Sequence, residues 1–573
     1  MTAASATSTL VLRGCVLVLA LIVAGCSSTS TPISAANAGG DAPSPSQAMP
    51  TVAAAPSRPP SASAFAPSVP RPRSTEPVPS TELDVSVVHE SAVSHIPRSV
   101  DDRAWEPVVA THPTDPERVA VVYEHRGPGT ACRLNPTVRI SHDGGRTWRS
   151  TKRSPAGRSG RGVSLHAAIA WGPGPDGGSR LYWANMTVPR CGDDRFSLST
   201  TFSDDEGATW SKLRVERRTP PWVGGFPEIA VDRDPASHDY GTVYVGYNWL
   251  ARGARGPGFR LLASADFGET WSWTEIAPAP SPRGHRDWWR IAYRLRTAPD
   301  GGVYASWYQV DLRRWDRRRI LSKGGATNVG RLAVVVARVD FDAKAKTFDV
   351  GPSRIATTVK ETSFTIGGLS APGTRGNIRP DPMWLHGIDV DPETGSLYVA
   401  VAGYGAATDS RPRGTIRVGR SDDAGETWTF TTLPVAPAAG GQRRSSIRPN
   451  LVAGPGYVLV TFRTLDDVRS GARIGAAFAV SGDRGVTWQI NRVSEARWRA
   501  DNLGGVVNGM GLRERAERLA NGDVFWAYGD GRHARGSAAG RVAVYGAHIH
   551  LEPLAYPALP PRRRNGHLSQ SAR

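Results

Sequence analysis

The sequence predicts an all-β repeat fold, and three observations carry that prediction. An eight-residue turn of the form Ser-x-Asp-x-Gly-x-Thr-Trp occurs five times, and a strand-like run of aromatic and β-branched residues precedes each copy. The chain of 573 residues is also longer than one ordinary core organises. Its charged fraction of 21% and hydrophobic fraction of 39% exclude a wholly disordered chain.

The first 25 residues predict a bacterial export signal. Residues 1–14 hold a single charge, Arg13, and residues 15–25 form an apolar run of signal-peptide length that is too short to span a bilayer. The run ends in Val-Ala-Gly followed by Cys26, which resembles a lipobox, and the resemblance implies that Cys26 is lipidated after cleavage. A plain secretory signal is the alternative. Either signal exports the chain. With the lipobox-like signal, the expected location is the outer face of the bacterial cell membrane, to which the lipid anchor alone attaches the protein.

Composition sets the remaining domain boundaries. Residues 27–80 contain twelve prolines among Ser, Ala and Thr, which predicts an extended linker without regular structure. We therefore divide the chain into a lipoprotein signal peptide (1–25), the lipidated cysteine with a disordered linker (26–80), a repeat domain (81–552) and a disordered basic tail (553–573).

The repeated turn has a structural explanation in its own residues. The Asp carboxylate accepts hydrogen bonds from backbone N–H groups ahead of it, the Gly permits a positive φ, and the Trp fills the gap between strands. The turn is similar to the Asp-box, or BNR, repeat of sialidase-superfamily β-propellers. The resemblance implies a β-propeller over about residues 84–552, with each box between the third and fourth strands of a blade and away from a catalytic face. The box aspartates, expected to be structural, are Asp143, Asp205, Asp266, Asp423 and Asp483.

Seven units follow from the strand-like run of aromatic and β-branched residues, which we call the second-strand motif. This motif precedes each of the five boxes and occurs twice without one, at 303–305 and 524–526. The last unit has only three strands, while an alternating run at 83–89 opens the domain. An open sheet edge is costly, so this N-terminal run is expected to complete the last blade and close the ring. The sequence thus predicts a seven-bladed β-propeller, with the six blades of sialidases proper as the alternative.

Two cysteines remain once Cys26 and the signal are set aside. Cys132 and Cys191 fall in equivalent loops of the first and second blades, nine and twelve residues before their box serines. In an exported protein this favours a disulfide, and two free buried thiols are the alternative.

Ionisable residues recur where the innermost strands should line the axis. We aligned these strands on the apolar anchors Val109, Ile169, Ile229, Ile291, Ile388 and Leu451 and took the positions one and three before each anchor, which share a strand face. These positions hold Glu106, His166, Glu228, Arg290, Arg448 and Asn450, and the matching places in blade seven hold Arg515 and Glu517. Blade five departs from the pattern with Leu385 and Gly387, although His386 lies between them. One interpretation is a ligand site in which Arg290, Arg448 and Arg515 hold an anionic group, with His166, His386 and Trp288 beside them. The alternative is that the charges pair with one another, Arg290 with Glu228 for example.

The family resemblance implies a catalytic set as well. Sialidases hold the substrate carboxylate with three arginines and use a Tyr nucleophile activated by Glu, with an Asp as acid/base. The candidates here are Tyr293 or Tyr528 as nucleophile, Glu228 or Glu517 as activator and Asp287 as proton donor. The family's early F/Y-R-I-P motif is missing, since residues 95–98 read His-Ile-Pro-Arg.

Charge and missing motifs narrow the function. The 70 Lys and Arg exceed the 52 Asp and Glu by 18, which suits acidic partners, but export disfavours nucleic acid. No H-E-x-x-H, paired C-x-x-C or P-loop motif occurs, so neither a metal nor a cofactor is expected. The prediction is a monomeric, surface-anchored, sialidase-like exo-glycosidase acting on anionic glycans. The alternative is a non-catalytic propeller that binds glycan, cell-wall polymer or protein at its axial face.

Overall fold

The computed structural model describes the repeat domain with gaps at several connections. The described residues are 83–97, 103–126, 134–151, 155, 163–188, 197–216, 226–249, 258–278, 288–311, 331–360, 386–405, 413–434, 445–465, 473–499, 513–534 and 541–552. Cys26, Cys132, Cys191 and Asp287 lie outside them, as does the side chain of Trp288.

Thirty strands occur within these residues. The first half are β1 (Asp84–Ala92), β2 (Arg103–Thr111), β3 (Val119–Arg126), β4 (Leu134–Ser141), β5 (Arg149–Ser150), β6 (Val163–Pro173), β7 (Ser179–Val188), β8 (Ser197–Ser203), β9 (Arg214–Glu216), β10 (Glu228–Val231), β11 (Val243–Trp249), β12 (Gly258–Ser264), β13 (Ser272–Ala277), β14 (Trp288–Thr297) and β15 (Val303–Asp311). The second half are β16 (Arg331–Asp342), β17 (Thr347–Val350), β18 (Arg354–Lys360), β19 (His386–Val390), β20 (Leu397–Gly405), β21 (Arg413–Ser421), β22 (Thr429–Thr432), β23 (Ser445–Gly454), β24 (Tyr457–Leu465), β25 (Arg473–Ser481), β26 (Gln489–Arg492), β27 (Trp498–Arg499), β28 (Arg515–Arg518), β29 (Val524–Asp530) and β30 (Ala543–Glu552).

The strands form seven antiparallel sheets arranged as a seven-bladed β-propeller. Blades I to VI are β2–β5, β6–β9, β10–β13, β14–β17, β19–β22 and β23–β26, and blade VII is β28, β29, β30 and β1. Two extra strands, β18 and β27, pair with the third strands of blades IV and VI. The innermost strands contact one another in the cyclic order β2, β6, β10, β14, β19, β23, β28 and back to β2. The prediction of seven blades is therefore confirmed, and the alternative of six is wrong.

The N-terminal strand closes the ring as the sequence predicts. Strand β1 pairs antiparallel with β30, from Asp84 opposite Glu552 to Ala92 opposite Tyr545. The first and last strands of the domain thus share one sheet, so neither is left with an unpaired edge toward the other.

The core lies between neighbouring blades because successive side chains of a strand point to opposite faces of its sheet. In β24, Val458, Val460 and Phe462 pack toward blade V, whereas Leu459 packs with Trp526 of blade VII. A blade with two apolar faces is buried on both sides, which explains why the second strands read as almost continuous apolar runs.

The five box turns have the contacts that their residues predict. In the first, the Asp143 carboxylate accepts the backbone N–H of Thr147 at 2.8 Å and the Thr147 hydroxyl at 2.6 Å, while the Ser141 hydroxyl accepts the N–H of Gly145 at 2.8 Å. The same Asp–Thr hydrogen bonds recur in the other four turns. Burial opposes ionisation, but the hydrogen bonds from Thr147 and Ser141 outweigh it and hold the pKa of Asp143 at about 2.

The boxes define one end of the propeller. Ser141, which opens the first box, lies opposite Val119, and Val119 lies opposite Thr111 at the end of the inner strand β2. We call this the box end and the opposite end, where the inner strands begin, the entry end. Within the described residues no helix has the length and hydrophobicity of a membrane span, and no cluster of His, Cys, Asp and Glu is suited to hold a metal ion.

Candidate functional site

The strand register corrects the sequence alignment of two inner strands. In each blade the anchor lies opposite the third residue of the second-strand motif, as Val109 does opposite Val121 and Ile169 does opposite Trp183. In blade IV that position belongs to Leu295 rather than Ile291, because β14 has an irregular pairing between Ile291 and Arg294. In blade VII it belongs to Ala516, opposite Trp526. The positions before the anchor are therefore occupied by Arg294 instead of Arg290, and by Arg515 and Arg513 instead of Glu517 and Arg515.

β-Bulges set the direction of several of these side chains. Register shifts interrupt the pairing of the first two strands in blades I, II, IV and VI. Within three of the shifts, Glu106, His166 and Arg448 adopt the left-handed conformation, with φ of 57°, 51° and 60°. Phe226, just before β10, has a φ of 58°. Each such residue costs on the order of 1–3 kcal/mol, and strained bulges of this kind concentrate at functional sites.

Two buried glutamates lie at the entry end of blade I. Glu106 accepts a hydrogen bond from, or shares a proton with, Nδ1 of His166 at 2.9 Å. Glu124 lies on β3 opposite Trp105 of β2, and its carboxyl group accepts a hydrogen bond from the backbone N–H of Ala167 at 3.2 Å. Burial and then the charge of Glu106 raise the pKa of Glu124 to about 8. At neutral pH Glu124 is therefore protonated.

A third buried glutamate, Glu228, is paired across the axis. Its oxygens form ion pairs with Arg515 of blade VII and with Arg294 of blade IV, the latter at 2.8 Å, and Arg513 lies 3.8 Å away. Blades III and VII are three places apart in a ring of seven, so the pair with Arg515 spans the axis. Burial, then the nearby Arg513 and Arg296, lower the pKa of Arg294 to about 9.

A fourth buried glutamate, Glu514, contacts two arginines of blade VI. Nε of Arg463 donates to it at 3.3 Å, and Nε of Arg448 is 3.8 Å from its other oxygen. Arg463 also donates to the carbonyl of Gly529 and lies over the ring of Tyr528, 4.5 Å from its centroid. Two of the three predicted arginines, Arg448 and Arg515, are thus close to carboxylates, which is the charge-pairing alternative raised by the sequence.

Arg290 and Tyr293 lie between blades III and IV instead. Arg290 donates to the carbonyl of Pro278 at 2.5 Å and to Gln309 at 3.3 Å. The hydroxyl of Tyr293 donates to the carbonyls of Gly258 and Arg290, and its ring stacks on Phe259. Burial raises the pKa of Tyr293, which opposes formation of a nucleophilic phenolate.

Tyr528 is paired with a glutamate, but with neither of the predicted ones. Its hydroxyl donates to Glu90 on β1, and Arg532 and Ser494 also donate to Glu90. Burial, followed by the charges of Glu90 and Asp530, raises the pKa of Tyr528. The hydrogen bond to Glu90 ties the second strand of blade VII to its outermost strand.

Glu517 lies toward the box end of the axis. It pairs with Arg296 of blade IV at 3.1 Å, and Arg296 is also 3.2 Å from Asp389 of blade V. Because blades IV and VII are three places apart, this network crosses the axis below the Glu228 pairs. Arg233 adds a hydrogen bond to the carbonyl of Thr111 at 2.9 Å. A ligand of the axial groups would therefore approach from the entry end.

His386 is fully buried beside blade IV. Its Nε2 is 2.7 Å from the hydroxyl of Ser306, and its ring meets Tyr308 edge-on at 4.8 Å. Burial and then the charge of Arg294 hold the pKa of His386 well below its usual range, so the ring is neutral. Asp287 lies outside the described residues, and for Trp288 only the backbone, at the start of β14, is described.

Five buried axial residues were not predicted from the sequence: Glu124, Arg294, Arg463, Arg513 and Glu514. A signal existed for two of them, because Glu124 and Arg463 are charged side chains that continue apolar second strands. Arg513 and Glu514 directly precede Arg515, so a correct anchor in blade VII would have found them.

Several solved structures resemble the chain weakly. An α-L-arabinanase from Penicillium chrysogenum complexed with arabinobiose is 14% identical, with a TM-score of 0.41, covering 66% of this chain and 94% of that one. The polysaccharide lyase Uly1 is 12% identical with a TM-score of 0.42 (81% and 99% covered), and an α-L-arabinofuranosidase from Fusarium graminearum is 11% identical with a TM-score of 0.38 (71% and 99%). No protein-family model and no curated protein sequence matches the chain. The propeller assignment therefore rests on the strand pairing of the chain itself.

Proposed function

We propose that this protein is a glycan-processing propeller enzyme that uses Glu124 as general acid and Glu106 as its partner carboxylate. Glycosidic bond cleavage needs one carboxylic acid that protonates the leaving oxygen and a second carboxylate that acts as base or nucleophile. The observation that carries the proposal is the difference in environment between the two groups. Glu124 is buried and protonated at neutral pH, whereas Glu106 is held by the imidazole of His166.

This assignment differs from the sialidase-like set suggested by the resemblance. A Tyr nucleophile needs a lowered pKa, and the pKa values of both Tyr293 and Tyr528 are raised. A clamp on a substrate carboxylate needs arginines without another acid to satisfy them, whereas Arg515 is paired with Glu228. The proposed substrate class is therefore a glycan, either anionic or neutral.

The test is hydrolysis by the purified full-length protein. Wild type is incubated with a panel of fluorogenic glycosides, including sialosides, and with polysaccharides assayed for new reducing ends. The Glu124→Gln variant should lose at least about a hundredfold of any activity found, because an amide cannot donate the acidic proton. Glu275→Gln is the control, since Glu275 pairs with Arg260 on β12, away from the axial groups. An inactive wild type, or a fully active Glu124→Gln protein, would contradict the proposal.

A second function is favoured by one specific observation. Arg294 and Arg515 converge on Glu228 from two blades, an arrangement that rigidifies the axis without any ligand. This suits a non-catalytic propeller that binds glycan, cell-wall polymer or protein at its entry end. Retention of the wild-type protein on a glycan array, with no hydrolysis of the retained glycan, would favour binding over catalysis.

We also propose that the chain is exported, lipid-anchored through Cys26 and monomeric, with a disulfide between Cys132 and Cys191. The support is the lipobox-like sequence at residues 23–26 and the equivalent positions of the two loop cysteines. Incorporation of an alkyne fatty acid should be lost in Cys26→Ser. Mass spectrometry of the non-reduced protein should recover a peptide linked through Cys132 and Cys191.

A further inference from the structure

We propose that Arg513 is the positioning residue of the Glu106–Glu124 pair. It fixes the two-residue bulge to which both carboxyl groups are hydrogen-bonded. The catalytic consequence of this role rests on the proposed function. The structural role itself does not, and it can be measured without turnover.

The bulge consists of His166 and Ala167 in blade II. The imidazole of His166 and the backbone N–H of Ala167 bind the two carboxyl groups, since Nδ1 of His166 is 2.9 Å from Glu106 and the N–H of Ala167 donates to Glu124 at 3.2 Å. A single dipeptide therefore sets the positions of both glutamates relative to each other.

Arg513 binds the carbonyl groups of the same dipeptide. One guanidinium nitrogen donates to the carbonyls of His166 at 3.2 Å and Ala167 at 3.0 Å, and the other donates to the carbonyl of Pro227 at 2.6 Å. Arg513 is 2% exposed. It precedes β28 of blade VII, so it reaches across the axis to blades II and III.

The carbonyls that Arg513 binds flank strained backbone. His166 has a φ of 51°, and Phe226, directly before Pro227, has a φ of 58°. Their rings are in contact at a tilt of 31°, with centroids 4.0 Å apart, and the Arg513 guanidinium lies 5.7 Å from the centroid of the Phe226 ring. Left-handed residues of this kind persist only where the surroundings over-determine them, and three charge-assisted hydrogen bonds from one side chain supply such a constraint.

The charge of Arg513 also acts on the carboxyl groups. The groups that set the ionisation of Glu124 are Glu106 on β2, Arg513 before β28, and the backbone N–H groups of Ala167 and His166 on β6. Arg513 favours the ionised form and so opposes burial and Glu106. Loss of its charge should move the pKa of Glu124 upward from about 8.

Two variants separate the fork of Arg513 from its charge. Arg513→Gln removes the charge, and Arg513→Lys keeps it while a single ammonium replaces the planar fork. Arg296→Gln is the matched control, because Arg296 is also a largely buried arginine that pairs across the axis, but with Asp389 and Glu517 toward the box end.

The direct readout is the titration of Glu124, followed by the infrared band of the protonated carboxyl group and assigned by its loss in Glu124→Gln. We expect the midpoint to rise by about one pH unit in Arg513→Gln, to stay near wild type in Arg513→Lys, and to stay unchanged in Arg296→Gln. If the wild type hydrolyses a glycan, the alkaline limb of its kcat/KM profile should shift with the midpoint. Arg513→Lys should then restore the limb while kcat stays about tenfold low and KM changes little.

Each outcome decides between the explanations. Equal midpoints in Arg513→Gln and wild type would overturn the role of the charge, and a kcat for Arg513→Lys equal to wild type would overturn the role of the fork. If Arg513→Gln does not fold, the test falls to Arg513→Lys, where a midpoint shifted as far as about one unit would overturn the proposal. A shifted midpoint in a protein without hydrolytic activity would leave the positioning role standing and reject the proposed function alone.

Discussion

Replacing Glu90 by Gln should loosen the closure of the ring, because Glu90 is where the N-terminal strand β1 is tied to blades VI and VII. The carboxylate accepts hydrogen bonds from the Tyr528 hydroxyl, from Ser494 at 2.9 Å and from two nitrogens of Arg532 at 3.0 and 2.5 Å. Gln keeps the size and one acceptor oxygen but loses the charge. Charge-assisted hydrogen bonds exceed neutral ones by about 1 kcal/mol each, so weakening two or three of the four hydrogen bonds predicts a loss of about 2–3 kcal/mol.

The pH dependence of this loss has a defined sign. Burial would raise the pKa of Glu90, but the hydrogen bonds from Arg532 and Tyr528 outweigh it and hold the pKa below its ordinary value of 4.5. A carboxyl group whose pKa is depressed by folding stabilises the protein above its unfolded pKa, and this stability is lost as the pH falls through the folded pKa. The difference between wild type and Glu90→Gln should therefore be full at pH 7 and smaller at an acidic pH below the folded pKa.

Thermal unfolding and hydrogen–deuterium exchange measure the two consequences. Glu90→Gln should lower Tm at pH 7 by several degrees and speed exchange in the peptide that covers β1 more than in peptides from blade III. Asp84→Asn is the control, because Asp84 lies on the same strand but is exposed. A Tm difference that is the same at both pH values, or faster exchange spread evenly over all blades, would refute the reasoning.

Three further predictions concern the Glu106–Glu124 pair, the hydrophobic core and a box turn. Any hydrolytic activity should fall as the pH rises through about 8, since the general acid Glu124 then loses its proton, and a rate that climbs between pH 8 and 9 would count against it. Trp526→Ala should cost about 3–5 kcal/mol in denaturant unfolding, because Trp526 is 0% exposed between blades VI and VII, and a cost under 1 kcal/mol would show that the site collapses around the gap. Gly145→Ala should destabilise the protein far more than Gly522→Ala, since both have φ near 95° (94° and 96°) but only at Gly145 would a Cβ lie 2.2 Å from the Phe525 ring. Equal losses for the two glycine variants would contradict that steric argument.

The ring could be read from the sequence because its information is local and repeated. The contacts of Asp143 with Thr147 are all within five residues of one another, so the turn is specified wherever its letters occur. The motif at 524–526 marks a blade even without a box, since a second strand buried on both faces must be apolar throughout. The closure by β1 followed from counting strands and from the cost of an open edge.

The site could be predicted only in part, because its contacts join distant blades. Glu228 was found at the correct position, but its partners Arg294 and Arg515 lie 66 and 287 residues further along the chain. The prediction of Arg290 in place of Arg294 was wrong because a bulge shifts the register of the inner strand. The alternation of polar and apolar residues does not reveal such a shift. A charged residue inside an apolar strand, such as Glu124, is a better signal than alignment to an anchor, since burial of a carboxyl group requires a partner.

The bulges also account for the unequal ends of the axis. From each anchor to the box end, the inner strand pairs regularly with the second strand, as Val109, Ala110 and Thr111 do with β3. The register shift lies on the entry side of the anchor. There the extra residue of the bulge places a polar residue, such as Glu106 or Arg448, in the left-handed backbone conformation. Strain and buried charge thus accumulate at one end, while regular strands and the Arg296 network fill the other. A glycan site at the box end would have to displace the Arg296 ion pairs that cross the axis there, so a glycan seen at that end would reject the proposed acid–base pair and leave the structural role of Arg513 standing.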